Sequence, residues 1–164
     1  MTRPTGIMFF CLGNICRSPL AEGLFRYHVE SQGVGDLFVI ESSGTSAYHL
    51  GEPPDPGSVR VARDRLGLDI TGQRAQQLRA DHLKAFDFLI AMDSENLRNA
   101  RRMPGGGAAP LVLLRDFEPQ AAHQGLDVPD PWGGGPRAFE EVFKIVERCT
   151  AQLLREVLEV QGLR

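Results

Sequence analysis

The sequence predicts an α/β fold, a three-layer α/β/α arrangement around a four-stranded parallel sheet. Three observations carry this. Apolar runs of strand length stand near 6–11, 37–42, 86–92 and 110–114. Helical apolar spacing fills the intervals near 17–32, 58–66 and 94–103, and a last helix is predicted near 136–161. Strands alternating with helices imply a parallel sheet covered on both faces. A chain of 164 residues without repeats or low-complexity tracts fits a single domain, 1–164. It is long enough to bury roughly two-thirds of its unfolded surface.

The first strand, Ile7-Met8-Phe9-Phe10, runs directly into Cys11-Leu12-Gly13-Asn14-Ile15-Cys16-Arg17-Ser18, and a helical pattern follows from Pro19. A strand entering a Gly-containing turn and then a helix N-terminus brings backbone N–H groups together around an anion. Cys11 puts a sulfur at the bottom of that phosphate-sized cup. Arg17, six residues later, supplies a planar fork for two phosphate oxygens. Gly13 permits the turn, Asn14 can hydrogen-bond the loop, and Ser18 offers a hydroxyl at the helix start. The pattern reads as a thiolate nucleophile aimed at a phosphate ester. The same Cys-to-Arg spacing recurs at Cys149 and Arg155, with no glycine and no preceding strand. There, in helical apolar spacing, Cys149 reads as a packing residue.

Hydrolysis of such an ester also needs a proton for the leaving oxygen. The longest irregular stretch, about 116–135, holds Asp116, Asp127 and Asp130, and loops of that length tend to be functional or disordered. Asp130 leads because Pro131 fixes its backbone and Trp132 can press an aromatic substrate. Asp116 and Asp127 read as turn or solvated carboxylates.

Composition excludes several classes. A net charge of −3 argues against a nucleic-acid or anionic-membrane binder. The N-terminal segment lacks a signal-peptide core and no apolar run reaches membrane-spanning length. Three cysteines, an odd number with two in one turn, are no secreted disulfide framework; a reducing cytoplasm is expected. The four histidines show no ligand spacing, and Cys11 with Cys16 cannot complete a zinc site alone. No metal or other cofactor is expected.

The octet from Cys11 to Ser18, with Pro19-Leu20-Ala21-Glu22 behind it, resembles the signature of the low-molecular-weight protein tyrosine phosphatases. Three further segments resemble that family in the right order. They are Ser42-Ser43-Gly44-Thr45 with Tyr48-His49-Leu50-Gly51-Glu52-Pro53-Pro54-Asp55, then Ala91-Met92-Asp93-Ser94-Glu95-Asn96-Leu97, and Asp130-Pro131-Trp132-Gly133. The resemblance implies a flavodoxin-like strand order, with the acid loop folded over the phosphate cup. It implies Cys11 as nucleophile through a phosphocysteine, Asp130 as general acid and then base, and phosphate held by Arg17 and the amides of residues 12 to 17. Leu12, Gly13, Asn14, Ile15 and Cys16 would form the loop, braced by Ser18 and Ser42. Tyr48 and Trp132 would be aromatic walls. The implied partners are a tyrosine-phosphorylated protein substrate and phosphate or related oxyanions as inhibitors.

Two positions depart from the family pattern. The network that braces the loop usually includes a histidine, where this chain has Gln73; the second aromatic of the acid loop is Gly133. Asp93 reads equally as a helix N-cap and as a residue near Arg17. Cys11 and Cys16 are expected to form a reversible disulfide under peroxide. Alternative activities on this scaffold are a protein arginine phosphatase, which carries threonine where Ile15 stands, and an arsenate reductase, which needs two relay cysteines where only Cys149 remains. A non-catalytic phosphate-binding module is the alternative from another class; Cys11, Arg17 and Asp130 are all present.

Overall fold

Alternate residues of the first strand feed two separate cores, and that division organises the molecule. The computed structural model describes residues 3–162. Strand β1 (Thr5–Cys11) is buried along its whole length. Ile7, Phe9 and Cys11 point into one core, and Met8 and Phe10 into the other, the period-two alternation of a strand covered on both sides. Helix α1 (Arg17–Ser31) follows, then β2 (Phe38–Gly44), α2 (Pro56–Leu66), α3 (Ala80–Ala85), β3 (Phe88–Ala91), α4 (Ser94–Arg101), β4 (Leu111–Leu113) and α5 (Pro136–Val160). The sheet is parallel in the order β2-β1-β3-β4, the expected flavodoxin-like order.

The larger core lies under α1, α2 and α5. Leu20, Leu24 and Phe25 of α1 are fully buried there, and α5 contributes Phe139, Val142, Phe143, Val146, Cys149, Leu153 and Val157. Those α5 positions recur at three- and four-residue steps, so one stripe faces the sheet. Cys149 sits within the stripe, as its apolar spacing predicts, and burial pushes its thiol up to about 12. Phe25 packs edge-on against both Phe9 and Phe38, at centroid distances of 5.7 and 5.3 Å. Truncating a ring so placed costs about 3–5 kcal/mol. The second core, under α3 and α4, joins Met8 and Phe10 to Leu83, Leu89, Leu97 and Ala100.

Predicted and observed elements agree within about two residues, with one omission. The six-residue α3 is too short for a helical period to show, and its start is held by His82, whose Nδ1 accepts the Arg79 amide at 3.0 Å. Helix α2 begins two residues before the expected position because Asp55 caps it, accepting the Gly57 amide at 2.8 Å, with Pro56 at the first helical position. Among the described residues no helix is long and apolar enough to cross a membrane.

Candidate active site

Cys11 is the last residue of β1, and β1 lies between β2 and β3. The loop after it therefore leaves the sheet where successive connections diverge to opposite sides, the place where open α/β sheets form a crevice. Neighbouring chain segments hold the loop's carbonyls from outside. The Thr45 amide donates to Cys11 O (2.9 Å), the Ser46 amide to Leu12 O (2.9 Å), the Asp55 amide to Ile15 O (2.8 Å) and Ser58 Oγ to Cys16 O (2.9 Å). In a trans peptide the next N–H points opposite to the carbonyl. The amides of Leu12, Gly13, Cys16 and Arg17 accordingly face the inside of the loop. Gly44 makes the close approach possible: a Cβ there would stand 2.6 Å from Leu12 O.

Behind the loop lies the polar brace. Asn14 takes a left-handed backbone, φ 58°, which asparagine tolerates better than most residues. Its Nδ2 donates to Ser18 Oγ (2.8 Å) and Ser42 Oγ (3.0 Å), and its Oδ1 accepts the Gln76 amide (3.0 Å). The Asn14 amide donates to Cys11 Sγ at 3.3 Å. Ser18 Oγ lies 3.1 Å from the same sulfur and 3.2 Å from Ser43 O. The hydroxyl has one proton, so it serves a thiolate when it turns from Ser43 to Cys11.

Glu22, not Gln73, takes the proton of Ser42. Ser42 Oγ donates to Glu22 Oε1 at 2.8 Å, whereas Gln73 Oε1 is 3.5 Å away and Gln73 Nε2 donates to Pro19 O at 2.9 Å. Arg26 fixes Glu22 from the next turn, Nε to Oε2 at 3.0 Å, and also donates to Ile40 O. The brace thus ends on a carboxylate already present in α1.

Arg17 is buried. Its Nη1 donates to Asp93 Oδ2 (2.7 Å) and Val128 O (2.9 Å), and its Nη2 lies 3.8 Å from Asp130 Oδ2. Burial alone would lower the guanidinium's pKa; Cys11, Asp93 and Asp130 outweigh it, and the net direction is upward. Asp93 fills both roles that its position suggests, because its Oδ1 caps α4 through the Asn96 amide at 2.7 Å. Burial, Asp55, Cys11 and Asp130 together push the Cys16 thiol far upward against the opposing effect of Arg17. Cys16 therefore stays protonated at neutral pH, unlike a nucleophile.

A pocket of about 190 Å³ opens over the loop. Cys11, Leu12, Gly13, Ile15, Cys16 and Arg17 form its floor, and Tyr48, His49, Asp130 and Trp132 its walls. Tyr48 is 77% and Trp132 64% exposed, so neither ring serves as core packing. Asp130 Oδ1 accepts the Trp132 amide at 3.0 Å, which starts the turn and leaves Oδ2 on the Arg17 side. The two other candidate acids are engaged elsewhere. Ser94 donates to Asp127 through its amide and its hydroxyl, and Asp116 accepts the Leu113 amide at 2.9 Å.

Sequence reasoning missed His49, Glu22 as a brace and the Val128 carbonyl. His49 follows Tyr48, but nothing in the sequence places its ring over Gly13, where a Cβ would meet His49 Cδ2 at 2.8 Å. A backbone carbonyl carries no residue-type signal at all. Among the described residues no group of three or more His, Cys, Asp or Glu could hold a metal ion.

Residues 6–162 match the family described as low molecular weight phosphotyrosine protein phosphatase. A low molecular weight protein-tyrosine-phosphatase of Streptomyces coelicolor is 41% identical over 160 residues, 95% of this chain and 96% of that protein. Low molecular weight protein-tyrosine phosphatase A of Mycobacterium tuberculosis is 40% identical over 147 residues, 90% and 88% of the two chains. Among solved structures, YfkJ from Bacillus subtilis superposes with a TM-score of 0.88 at 34% identity, covering 98% of both chains. With matches that span nearly its whole length, the chain belongs to the low molecular weight protein tyrosine phosphatases, a family of cysteine-dependent hydrolases.

Proposed function

We propose that this chain hydrolyses aryl phosphate monoesters, phosphotyrosine in proteins above all, in two steps at Cys11. The observation that supports this most directly is the convergence of Cys11, Arg17 and Asp130 on one pocket, with Arg17 Nη2 3.8 Å from Asp130 Oδ2. In the first step the Cys11 thiolate attacks phosphorus, the ester P–O bond breaks and protonated Asp130 gives its proton to the departing phenolate. Loop amides and the Arg17 fork carry the charge on the equatorial oxygens. In the second step the Asp130 carboxylate takes a proton from water. The resulting hydroxide attacks phosphocysteine, phosphate departs, and Ser18 donates to the leaving sulfur.

Substrate choice follows from the walls. Tyr48 and Trp132 extend the pocket upward from the loop, a depth that a phenyl phosphate spans and phosphoserine does not. Ile15, apolar and in the floor, favours an aryl ester over phosphoarginine. Three thiols, all free, suit a protein kept in a reducing compartment.

Hydrolysis of p-nitrophenyl phosphate at mildly acidic pH with EDTA present tests the reading. Activity is expected to survive EDTA. Cys11→Ser is expected to abolish turnover while phosphate still binds, and acid quenching of the parent enzyme is expected to trap one phosphoryl group on Cys11. Turnover by Cys11→Ser above a few per cent would overturn the assignment.

A further inference from the structure

The segment that carries Asp130 has no ladder of its own. Residues 124–135, between the 3-10 turn Ala121–His123 and α5, contain neither helix nor strand. The geometry points to Arg115, held by buried Glu118, as the residue that positions the acid loop. This inference rests on Asp130 acting as the general acid.

Glu118 is 2% exposed and lies beneath the loop in a hub of three charges. Arg115 Nε donates to Glu118 Oε2 at 2.7 Å. Arg148 of α5 donates through Nε to Oε1 at 2.7 Å and through Nη2 to Oε2 at 2.9 Å. With its Nε committed to Glu118, the Arg115 fork turns Nη1 onto Asp127 O at 3.1 Å. The Gly125 amide donates back to Arg115 O at 3.2 Å, and Gln124 Nε2 donates to Glu118 O at 3.1 Å. The hub therefore grips the loop at residues 124, 125 and 127.

Beyond Asp127 the constraint passes along stiff chain. The Val128 amide donates to Met92 O at 2.8 Å, and Val128 O accepts from Arg17. Pro129 and Pro131 flank Asp130, and each ring fixes its own φ. Only two residues separate the carbonyl held by Arg115 from the carboxyl group that must meet the leaving oxygen. With Val128 held on both sides and Pro129 restricting the chain, a shift at Asp127 is passed in part to Asp130, and errors of about 1 Å in such positions cost up to about 10²-fold. Arg115 touches neither pocket nor substrate; its action runs through the backbone.

The test compares kcat/KM for phenyl phosphate, whose leaving group needs a proton, with that for dinitrophenyl phosphate, whose leaving group does not. The variants are Arg115→Met, Arg115→Lys, Asp130→Ala and the Arg115→Met/Asp130→Ala double. Arg115→Met leaves Glu118 paired with Arg148, so the hub keeps one ion pair and the fold. Its loss is expected to be about tenfold greater for phenyl than for dinitrophenyl phosphate, a fraction of the roughly 10²–10⁴ that a general acid supplies. Arg115→Lys restores charge without the fork, so its selective loss is expected to be smaller. In the Asp130→Ala background, Arg115→Met is expected to add no further leaving-group dependence, the non-additivity of residues acting as one unit. Equal losses for the two esters, or full additivity in the double variant, would overturn the positioning role. If Asp130→Ala itself shows no leaving-group dependence, the acid assignment fails instead, and that single variant distinguishes the two failures.

Discussion

Asp93 Oδ2 accepts from Arg17 Nη1 at 2.7 Å while Asp93 Oδ1 accepts the Asn96 amide at 2.7 Å, so one carboxylate both starts α4 and aims the buried arginine beside the pocket. The loop after β3 is thereby tied to the loop after β1 through two side chains.

Asp93→Asn separates the two roles. Asparagine caps a helix as well as aspartate does, and its one oxygen can keep the Asn96 bond while its NH₂ turns toward Arg17. The charge-assisted bond that is lost contributes about 1.5–3 kcal/mol. The expected outcome is a melting temperature lower by several degrees, from the lost ion pair rather than the cap, with kcat/KM for p-nitrophenyl phosphate down about tenfold, which corresponds to ~1.4 kcal/mol. Equal activity in variant and parent would show that Arg17 is aimed without Asp93.

Asn14 tests the brace and the strained backbone separately. Asn14→Ala and Asn14→Gly both remove the bonds to Ser18, Ser42 and Gln76, but only glycine relieves the left-handed φ. Both are expected to lose activity to a similar extent, since the brace sets where the Asn14 amide meets Cys11 Sγ. Asn14→Ala is expected to be less stable than Asn14→Gly by about 1 kcal/mol in urea melts. A larger activity loss in one than the other would mean that backbone geometry, not the side-chain bonds, dominates.

Peroxide is expected to inactivate the enzyme reversibly. Oxidation of the Cys11 thiolate gives a sulfenic acid; the Cys16 thiol displaces water from it, and the resulting disulfide is reduced again by dithiothreitol. Burial holds Cys16 protonated, so disulfide formation should quicken as pH rises. Cys16→Ser should keep turnover and lose most of the recovery. Equal recovery in variant and parent would remove Cys16 from this role.

His82 makes stability depend on mildly acidic pH. It is buried, and its Nδ1 accepts the Arg79 amide, a bond that the doubly protonated ring cannot make. Burial, helped by the Arg79 charge, lowers its pKa against the opposing Asp81 and Glu41. A group depressed in the folded state contributes stability that is present above the unfolded value, ~6.5, and lost as pH falls through the folded value. The melting temperature is expected to drop between about pH 7 and about pH 5, and to drop less in His82→Asn. His28, also lowered by burial, supplies part of what remains. Parallel pH curves for the two proteins would exclude His82.

Strand and helix positions were legible because periodicity is a local property: β1 alternates between two cores and α5 keeps one apolar stripe. The octet from Cys11 to Ser18 was legible for the same reason, since a strand, turn and helix start in immediate succession require no distant partner. Asp130 stood out among the loop acids through its neighbours Pro131 and Trp132. Local pattern thus specified the sheet, the loop from Cys11 to Arg17 and the residue types suited to the proposed chemistry. The tertiary structure decided which distant groups support them. Only the packing of α1 against β2 brings Glu22 to Ser42 while Gln73 turns to Pro19. The loop after β2 alone lays His49 over Gly13, and only the hub of buried Glu118 with Arg115 and Arg148 reaches the Asp127 carbonyl. Such contacts depend on distance and burial between residues far apart in the chain, and a carbonyl such as Val128 O offers the same chemistry at every position, so spacing along the sequence carries no trace of them.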